Sequence, residues 1–359
     1  MLIVRSPVRV SFGGGGTDLP AYYEAHGGAV LSVAINKYFY SIVTKRMDDK
    51  VQVISADLRI IETWQDIAGM HVNSGDLDIP LAVMQSLGIH APLNLFLASE
   101  VLPGTGLGSS ASVCVNILTA LATYLQLPMT KYELAERAFH IARHVLGMPV
   151  GKQDEYAASF GGLNYISFSE DGGVSVDPLI LAPDVLRELQ SSLMLFFTGA
   201  AHNSWSILKA QERSTKQPAG PAIESLHLIR ALAKRMHTAL LAGNLTDFGQ
   251  LLNESWQAKR KVSDQISNAR IDLLYELARQ NGALGGKITG AGGGGFLLLF
   301  CEKDSQDKVR DALGKEGLRE LAFDFDFQGA RVLVNDPFLD GDARCGLRWT
   351  FTPSSEQFA

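Results

Sequence analysis

The densest run of residues able to do chemistry is Pro103-Gly-Thr-Gly-Leu-Gly-Ser-Ser-Ala-Ser112. Three alternating glycines let backbone N–H groups converge on an anion with no Cβ in the way. The serine pair then opens an apolar stretch, Ala111–Leu127, long enough for a buried helix. The free N–H groups and dipole of its first turn favour phosphate at the same point. Serine hydroxyls add donors to phosphate or a ligand to Mg²⁺. The plain alternative is a glycine-softened turn with a serine N-cap, which has little need of this spacing. Other cradles fit less well. No Gly-Lys pair is followed by Ser or Thr, so a Walker A loop is absent. Gly290-Ala-Gly-Gly-Gly-Gly295 has the Gly-x-Gly-x-x-Gly form but precedes a strand, where a dinucleotide site should open a helix.

These segments have to be positioned by a sizeable fold. A chain of 359 residues is long for a single core, so two domains are expected. The net charge of −6 argues against a nucleic-acid partner, which needs a basic face, but leaves room for a phosphorylated small molecule in a local positive pocket. Three dispersed cysteines, Cys114, Cys301 and Cys345, form neither a disulfide framework nor a metal knuckle. The first residues lack the apolar core and cleavage site of a signal peptide, and no apolar run approaches the ~18 residues of a membrane span. A cytosolic location is expected.

The first stretch reads as strands at Leu2–Phe12, Ala29–Ile35, Tyr38–Lys45 and Val51–Ser55, rich in β-branched and aromatic residues and broken by glycine or charge. A strand at Leu93–Leu97 leads into the glycine loop. Thr130 with Glu133 forms a capping box for a helix whose apolar face is Leu134, Ala138, Ile141 and Val145, ended by Gly147 and Pro149. Further on come a strand at Leu193–Phe197 and a long amphipathic helix marked by Ile223, Leu226, Ile229, Ala233, Met236 and Leu240. Helices at Leu245–Lys261 and Ile271–Asn281 come after it, then a strand at Phe296–Phe300, a charged helix, and a strand Ala330–Val334 closing the second unit. This pattern predicts an α+β protein, with domains at 1–185 and 186–336 and an irregular tail at 337–359.

Three motifs in order resemble those of the galactokinase–homoserine kinase–mevalonate kinase (GHMP) family. Pro7-Val-Arg-Val-Ser-Phe-Gly-Gly-Gly-Gly-Thr-Asp18 is similar to the first, Pro103–Ser112 to the phosphate-binding second, and Lys287-Ile-Thr-Gly-Ala-Gly-Gly-Gly-Gly-Phe296 to the third. Within the family, the Gly-Gly-Gly-Thr-Asp form and Gly151-Lys-Gln-Asp-Glu-Tyr-Ala-Ala-Ser-Phe-Gly-Gly162 resemble sugar kinases. D-glycero-D-manno-heptose 7-phosphate kinases are nearest, with fucokinases beside them. The resemblance implies an N-terminal domain like the second domain of ribosomal protein S5, a ferredoxin-like C-terminal domain, and ATP with Mg²⁺ between them. It implies transfer of the γ-phosphoryl group to a small-molecule sugar or sugar phosphate, at the anomeric hydroxyl of heptose 7-phosphate in the favoured case. A fucose- or galactose-like sugar is the alternative. A third reading is a non-catalytic sugar or nucleotide sensor on the same fold.

Residue by residue, the resemblance makes Asp154 the base for the acceptor hydroxyl and Arg9 the cation beside it. Asp154 could equally cap a helix, and Arg9 could be a surface residue. ATP would be held by Pro103, Gly104, Gly106, Leu107, Gly108, Ser109, Ser110 and Ala111, with Ser110 also on the metal. The third-motif loop contributes Gly290, Gly292, Gly293 and Gly294. Substrate would meet Thr17, Asp18, Gly161, Gly162 and His202, although Thr17-Asp18 also suits an Asx-turn. Two departures stand out. Counting back twelve residues from Asp154, where the family places a glutamate near Mg²⁺, gives Ala142. His202 stands where heptose-phosphate kinases often carry arginine. Glu136 or Glu155 could replace the missing carboxylate, and Lys37, Lys152, Lys259 or Lys261 the missing cation.

Overall fold

The computed structural model of the chain describes residues 1–67, 72, 75–89, 91–199, 204–215 and 220–336. His202, Cys345 and the tail at 337–359 lie outside the described residues. In chain order the elements are β1 (Leu2–Gly13), α1 (Pro20–His26), β2 (Gly28–Lys45), β3 (Val51–Ser55), β4 (Ile60–Trp64), α2 (Asp78–Ser86), β5 (Leu93–Ser99), α3 (Ser109–Tyr124) and α4 (Lys131–His140). A π-turn at Ile141–Val145 leads to α5 (Gln153–Phe160), β6 (Leu163–Phe168), β7 (Val174–Pro178), α6 (Pro183–Ser192), β8 (Leu193–Phe197) and α7 (Ser204–Thr215). The chain continues through α8 (Pro221–Leu241), α9 (Leu245–Arg260), α10 (Ala269–Gln280), β9 (Ala283–Ile288), β10 (Phe296–Cys301), α11 (Lys303–Lys315), β11 (Arg319–Glu320) and β12 (Arg331–Asn335). No described helix is long and apolar enough to cross a membrane.

Two sheets organise these elements. The first has eight strands, running β12-β1-β2-β5-β3-β4, with β6 and β7 attached through β2. Its pivot is β2, which pairs with β6 over Gly28–Val33 and with β5 over Phe39–Lys45. The two strands expected at Ala29–Ile35 and Tyr38–Lys45 are therefore one. A register shift between Pro7 and Val8 of β1, opposite Asn36 and Lys37, absorbs the break that this polar pair marked. The second sheet, β11-β8-β10-β9, is antiparallel, with its own strands in the order fourth, first, third, second. That is the order of a ferredoxin-like unit. One expectation is corrected. The strand near Ala330–Val334 does not close the second unit; Arg331–Asn335 pairs antiparallel with β1 at the edge of the first sheet.

β1 spans two cores, and this suits it to carry a site. Leu2 and Val4 join Phe39, Val43, Leu81, Val115 and Leu118 beneath α2 and α3. Val8, Val10 and Phe12 join a second cluster with Met236, Phe248 and Phe300, in which the Phe12 and Phe248 rings meet edge-on at 5.2 Å. The middle of β1, around Arg9, is thus clamped from both sides.

The helix after Thr130 begins as read. Thr130 accepts from the Glu133 amide while the Glu133 carboxylate accepts from the Thr130 amide. Its end differs. The Leu146 N–H donates to the Ile141 carbonyl in a π-turn, and Val145, placed on the apolar face by a regular 3.6-residue period, is 37% exposed. An extra residue in the turn rotates the succeeding residues by roughly 100°. Leu146 goes inward in its place, and Ala142 borders a cavity between the two sheets' helices.

Candidate active site

A cavity of about 300 Å³ opens where the glycine loop, the start of α5, the Gly13–Asp18 loop and α9 converge. One wall is the second motif. Gly104, Gly106 and Gly108 all have positive φ, between 73° and 80°, a region that residues with a Cβ rarely adopt. They turn the chain so that α3 starts at Ser109 with Gly108 as N-cap and no side chain capping its N–H groups. Gly104, Gly106, Gly108, Ser109, Ser110 and Ala111 line the cavity. Pro103 is exposed and Leu107 is buried behind the loop, where its carbonyl accepts from the Arg9 amide at 2.9 Å.

Behind the loop stands the third motif. A Cβ on Gly290 would fall 2.6 Å from Gly106 Cα, and one on Gly295 would fall 2.3 Å from the Thr105 carbonyl oxygen. Backbone packs directly on backbone here, and Thr289 Oγ1 donates to the Thr105 carbonyl. Gly290 reaches the cavity wall, whereas Gly292 and Gly293 turn against Ile266 and Gly294 does not line it.

Arg9 is 3% exposed, so the surface alternative is set aside. Its Nε and Nη2 donate to the two carboxylate oxygens of Asp154 at 2.7 and 2.6 Å, and its Nη1 donates to the Gly106 carbonyl at 2.6 Å. One guanidinium thereby ties the general-base candidate to the phosphate loop. Asp154 is the second residue of α5 and does not cap it; Lys152 holds that position without a side-chain cap. A Cβ on Gly108 would lie 3.1 Å from Asp154 Oδ2, which places the carboxylate at the start of α3.

Asp18 also faces the cavity. It accepts from the Gly16 amide at 2.8 Å and approaches the Gln153 amide at 3.4 Å. Burial raises its pKa first, the nearby Asp154 charge adds to the rise, and the Gly16 amide opposes it. Thr17 is fully buried instead, its hydroxyl bonded to the backbone of Gly14 and Ala29. It holds the first-motif loop against β2 and does not reach the cavity. Gly161 and Gly162 are also elsewhere, pressed against Gly329 and bonded to Asp326.

Of the candidate cations, only Lys259 lines the cavity. Its ammonium, on α9, donates to the Gly15 carbonyl and to Gln211 Oε1, both at 3.1 Å. Burial pulls its pKa down to about 8, against the pull of Asp18. Lys152 is turned away, bonded to Glu136 and the Gly172 carbonyl. Glu136 also accepts from Tyr156, and with these partners it lies off the cavity wall. Lys37 and Lys261 do not line it either.

Sequence reasoning missed several residues. Lys287, on β9, is buried, and its pKa falls to about 7 through burial, then through the neighbouring Lys259 and Arg9 charges. Gln153 and Gln211 line the cavity with Glu155, one of the two carboxylates expected to replace the missing one, and each of the three has a buried polar atom, Oε1, Nε2 and Oε2 respectively, with no partner among the described residues. Unpartnered buried polar atoms are uncommon. Three around one cavity mark a space shaped for a polar ligand. Burial raises the Glu155 pKa well above the carboxylate range, and Asp154 adds to it. Among the described residues no group of three or more His, Cys, Asp or Glu is arranged to hold a metal.

A glycine cradle at a helix start, joined by one arginine to an aspartate over a polar cavity, on two α+β units, defines the small-molecule kinase class. Models of the N-terminal and C-terminal domains of GHMP kinases match residues 71–162 and 236–319. The D-glycero-alpha-D-manno-heptose 7-phosphate kinase of Campylobacter jejuni is 32% identical over 332 residues, covering 91% of this chain and 97% of that protein. The chain belongs to the GHMP kinase family. A crystal structure described as a D-glycero-D-manno-heptose 1-phosphate kinase, from Bacteriodes thetaiotaomicron, superposes with a TM-score of 0.79 at 28% identity. The match covers 94% of this chain and all of that one. Lactococcus lactis galactokinase, solved with galactose, shares the fold at 20% identity with a TM-score of 0.74, over 92% of this chain and 94% of that one.

Proposed function

We propose that this protein transfers the γ-phosphoryl group of ATP to a hydroxyl of a sugar phosphate, with D-glycero-D-manno-heptose 7-phosphate, at its anomeric hydroxyl, as the favoured acceptor. The observation that carries the reading is the Arg9–Asp154 pair, held at the start of α3 by the Gly106 carbonyl. Phosphoryl transfer is mainly positioning and charge stabilisation. The amides of Gly104–Ala111 and the N-terminus of α3 would receive the phosphates. Asp154 would accept the acceptor's proton, while Arg9 keeps its carboxylate oriented and meets charge developing on the transferred group. The Ser110 hydroxyl, a hard oxygen on the cavity wall, would help hold Mg²⁺, which would offset the charge of the phosphates.

The acceptor would lie on the opposite wall, against Asp18, Gln211 and Lys259. Asp18 suits vicinal hydroxyls as a two-oxygen acceptor, and Lys259 with the unpartnered Gln211 amide suits an oxyanion or hydroxyl. The heptose assignment rests on the Campylobacter jejuni relative. The division of the chain near residue 185 and a cytosolic location, where ATP and phosphorylated sugars are at hand, belong to the same reading. ADP release should be assayed across heptose 7-phosphate, heptose 1-phosphate, fucose and galactose. The highest kcat/KM is expected with heptose 7-phosphate. A higher value with an unphosphorylated sugar would move the protein to the fucose- or galactose-like alternative, and binding without turnover on every acceptor would make it a sensor.

A further inference from the structure

Glu155 is the one carboxylate on the cavity wall with an oxygen that nothing among the described residues satisfies. It is 1% exposed, its Oε2 has no hydrogen-bond partner, and the Arg9 guanidinium is already taken by both oxygens of Asp154. Cys114 and Ala142, which line the cavity with it, offer no donor of ordinary strength. Protonation removes the charge but leaves an O–H with no acceptor, so neither form is at rest in the fold alone. A divalent cation answers both needs. The small side chain of Ala142 leaves the space open, and Ser110, at the start of the phosphate-facing helix, lines the same cavity. A magnesium ion bound with nucleotide takes only one or two protein carboxylates, the rest being phosphate oxygens and water.

We propose that Glu155 is the protein carboxylate that ligates the divalent cation accompanying the nucleotide, with Ser110 as its hydroxyl partner. The assignment rests on the nucleotide reading and adds the residue that holds the metal. It also accounts for Ala142, because a carboxylate from α5 removes the need for one from the π-turn.

Mn²⁺ binding, followed by electron paramagnetic resonance on the full chain with a non-hydrolysable ATP analogue, tests this without turnover. Glu155→Gln should weaken Mn²⁺ binding in the ternary complex by about tenfold or more, since loss even of an outer-shell partner has that effect. Analogue affinity without metal should stay within about twofold. Adding Ala142→Glu to that variant should recover most of the loss. Glu155→Asp, which keeps the charge but draws it back, should weaken Mn²⁺ less and serves if the glutamine variant does not fold. Mn²⁺ affinity within about twofold of the parent in the variant that folds would overturn the proposal while leaving the nucleotide reading intact. Failure of the parent to bind the analogue at all would overturn both.

Discussion

Arg9 and Asp154 lie 145 residues apart in sequence and meet through two short, charge-assisted bonds, with a third from Arg9 to the phosphate loop. The carboxylate is therefore fixed by contacts that do not depend on the acceptor. Asp154→Asn keeps the shape, loses the base and leaves the loop amides untouched. It should lower kcat by about 10²–10⁴, with ATP affinity by calorimetry nearly unchanged; near-normal turnover would remove Asp154 from the role of base. These residues were legible because each sits in a contiguous motif. Thr17 was misread on the same ground: membership of a motif does not say whether a hydroxyl faces ligand or backbone. Gln211 left no trace, since a glutamine in a helix looks like solvated surface until packing buries it, and Lys287 was visible only as the first residue of the third motif, with nothing local to mark its burial.

At the scale of elements, the second and third motifs act as one device. The left-handed turns of the loop 103–108 pack against bare backbone of the loop 290–295. Gly290→Ala would add a Cβ within 2.6 Å of Gly106 Cα at a φ of +67°. The left-handed conformation alone costs roughly 1–2 kcal/mol with a Cβ present. ATP affinity should fall about tenfold, measured by calorimetry with circular dichroism unchanged; undiminished affinity would mean that the third motif does not support the cradle.

Most long elements were legible from their periodicity, α8 especially, where all six marked apolar positions are buried. The π-turn was not, because one inserted residue breaks the 3.6-residue period without changing composition. The partner of β12 was equally hidden, since strand pairing over more than 300 residues leaves no local pattern.

At the scale of the whole molecule, the second sheet and the helix packed on it bring two buried lysines, Lys287 and Lys259, beside a cavity on the first. In the unfolded chain Lys287 holds its proton to about 10.5, whereas in the fold it releases it near 7. Between those values the unfolded state binds more protons, so this residue's destabilising contribution shrinks as pH rises. Lys287→Met should therefore raise the unfolding midpoint of the ligand-free protein most at pH 6, with the advantage fading towards pH 10. A pH-independent difference would show that Lys287 is not held in a desolvating site. Charge placed at a loss in the free protein is what an anionic ligand would redeem, which agrees with the kinase reading.

The central claim is that the cavity joins ATP at the glycine cradle to a sugar phosphate at Asp154. Phosphorus NMR of a stoichiometric mixture of enzyme, ATP, Mg²⁺ and D-glycero-D-manno-heptose 7-phosphate tests it most directly. ADP and one new phosphomonoester on the anomeric carbon are expected, in equal amounts, both appearing about 10²–10⁴ times more slowly with Asp154→Asn. Intact ATP, or a phosphoryl group appearing on any other oxygen, would contradict it.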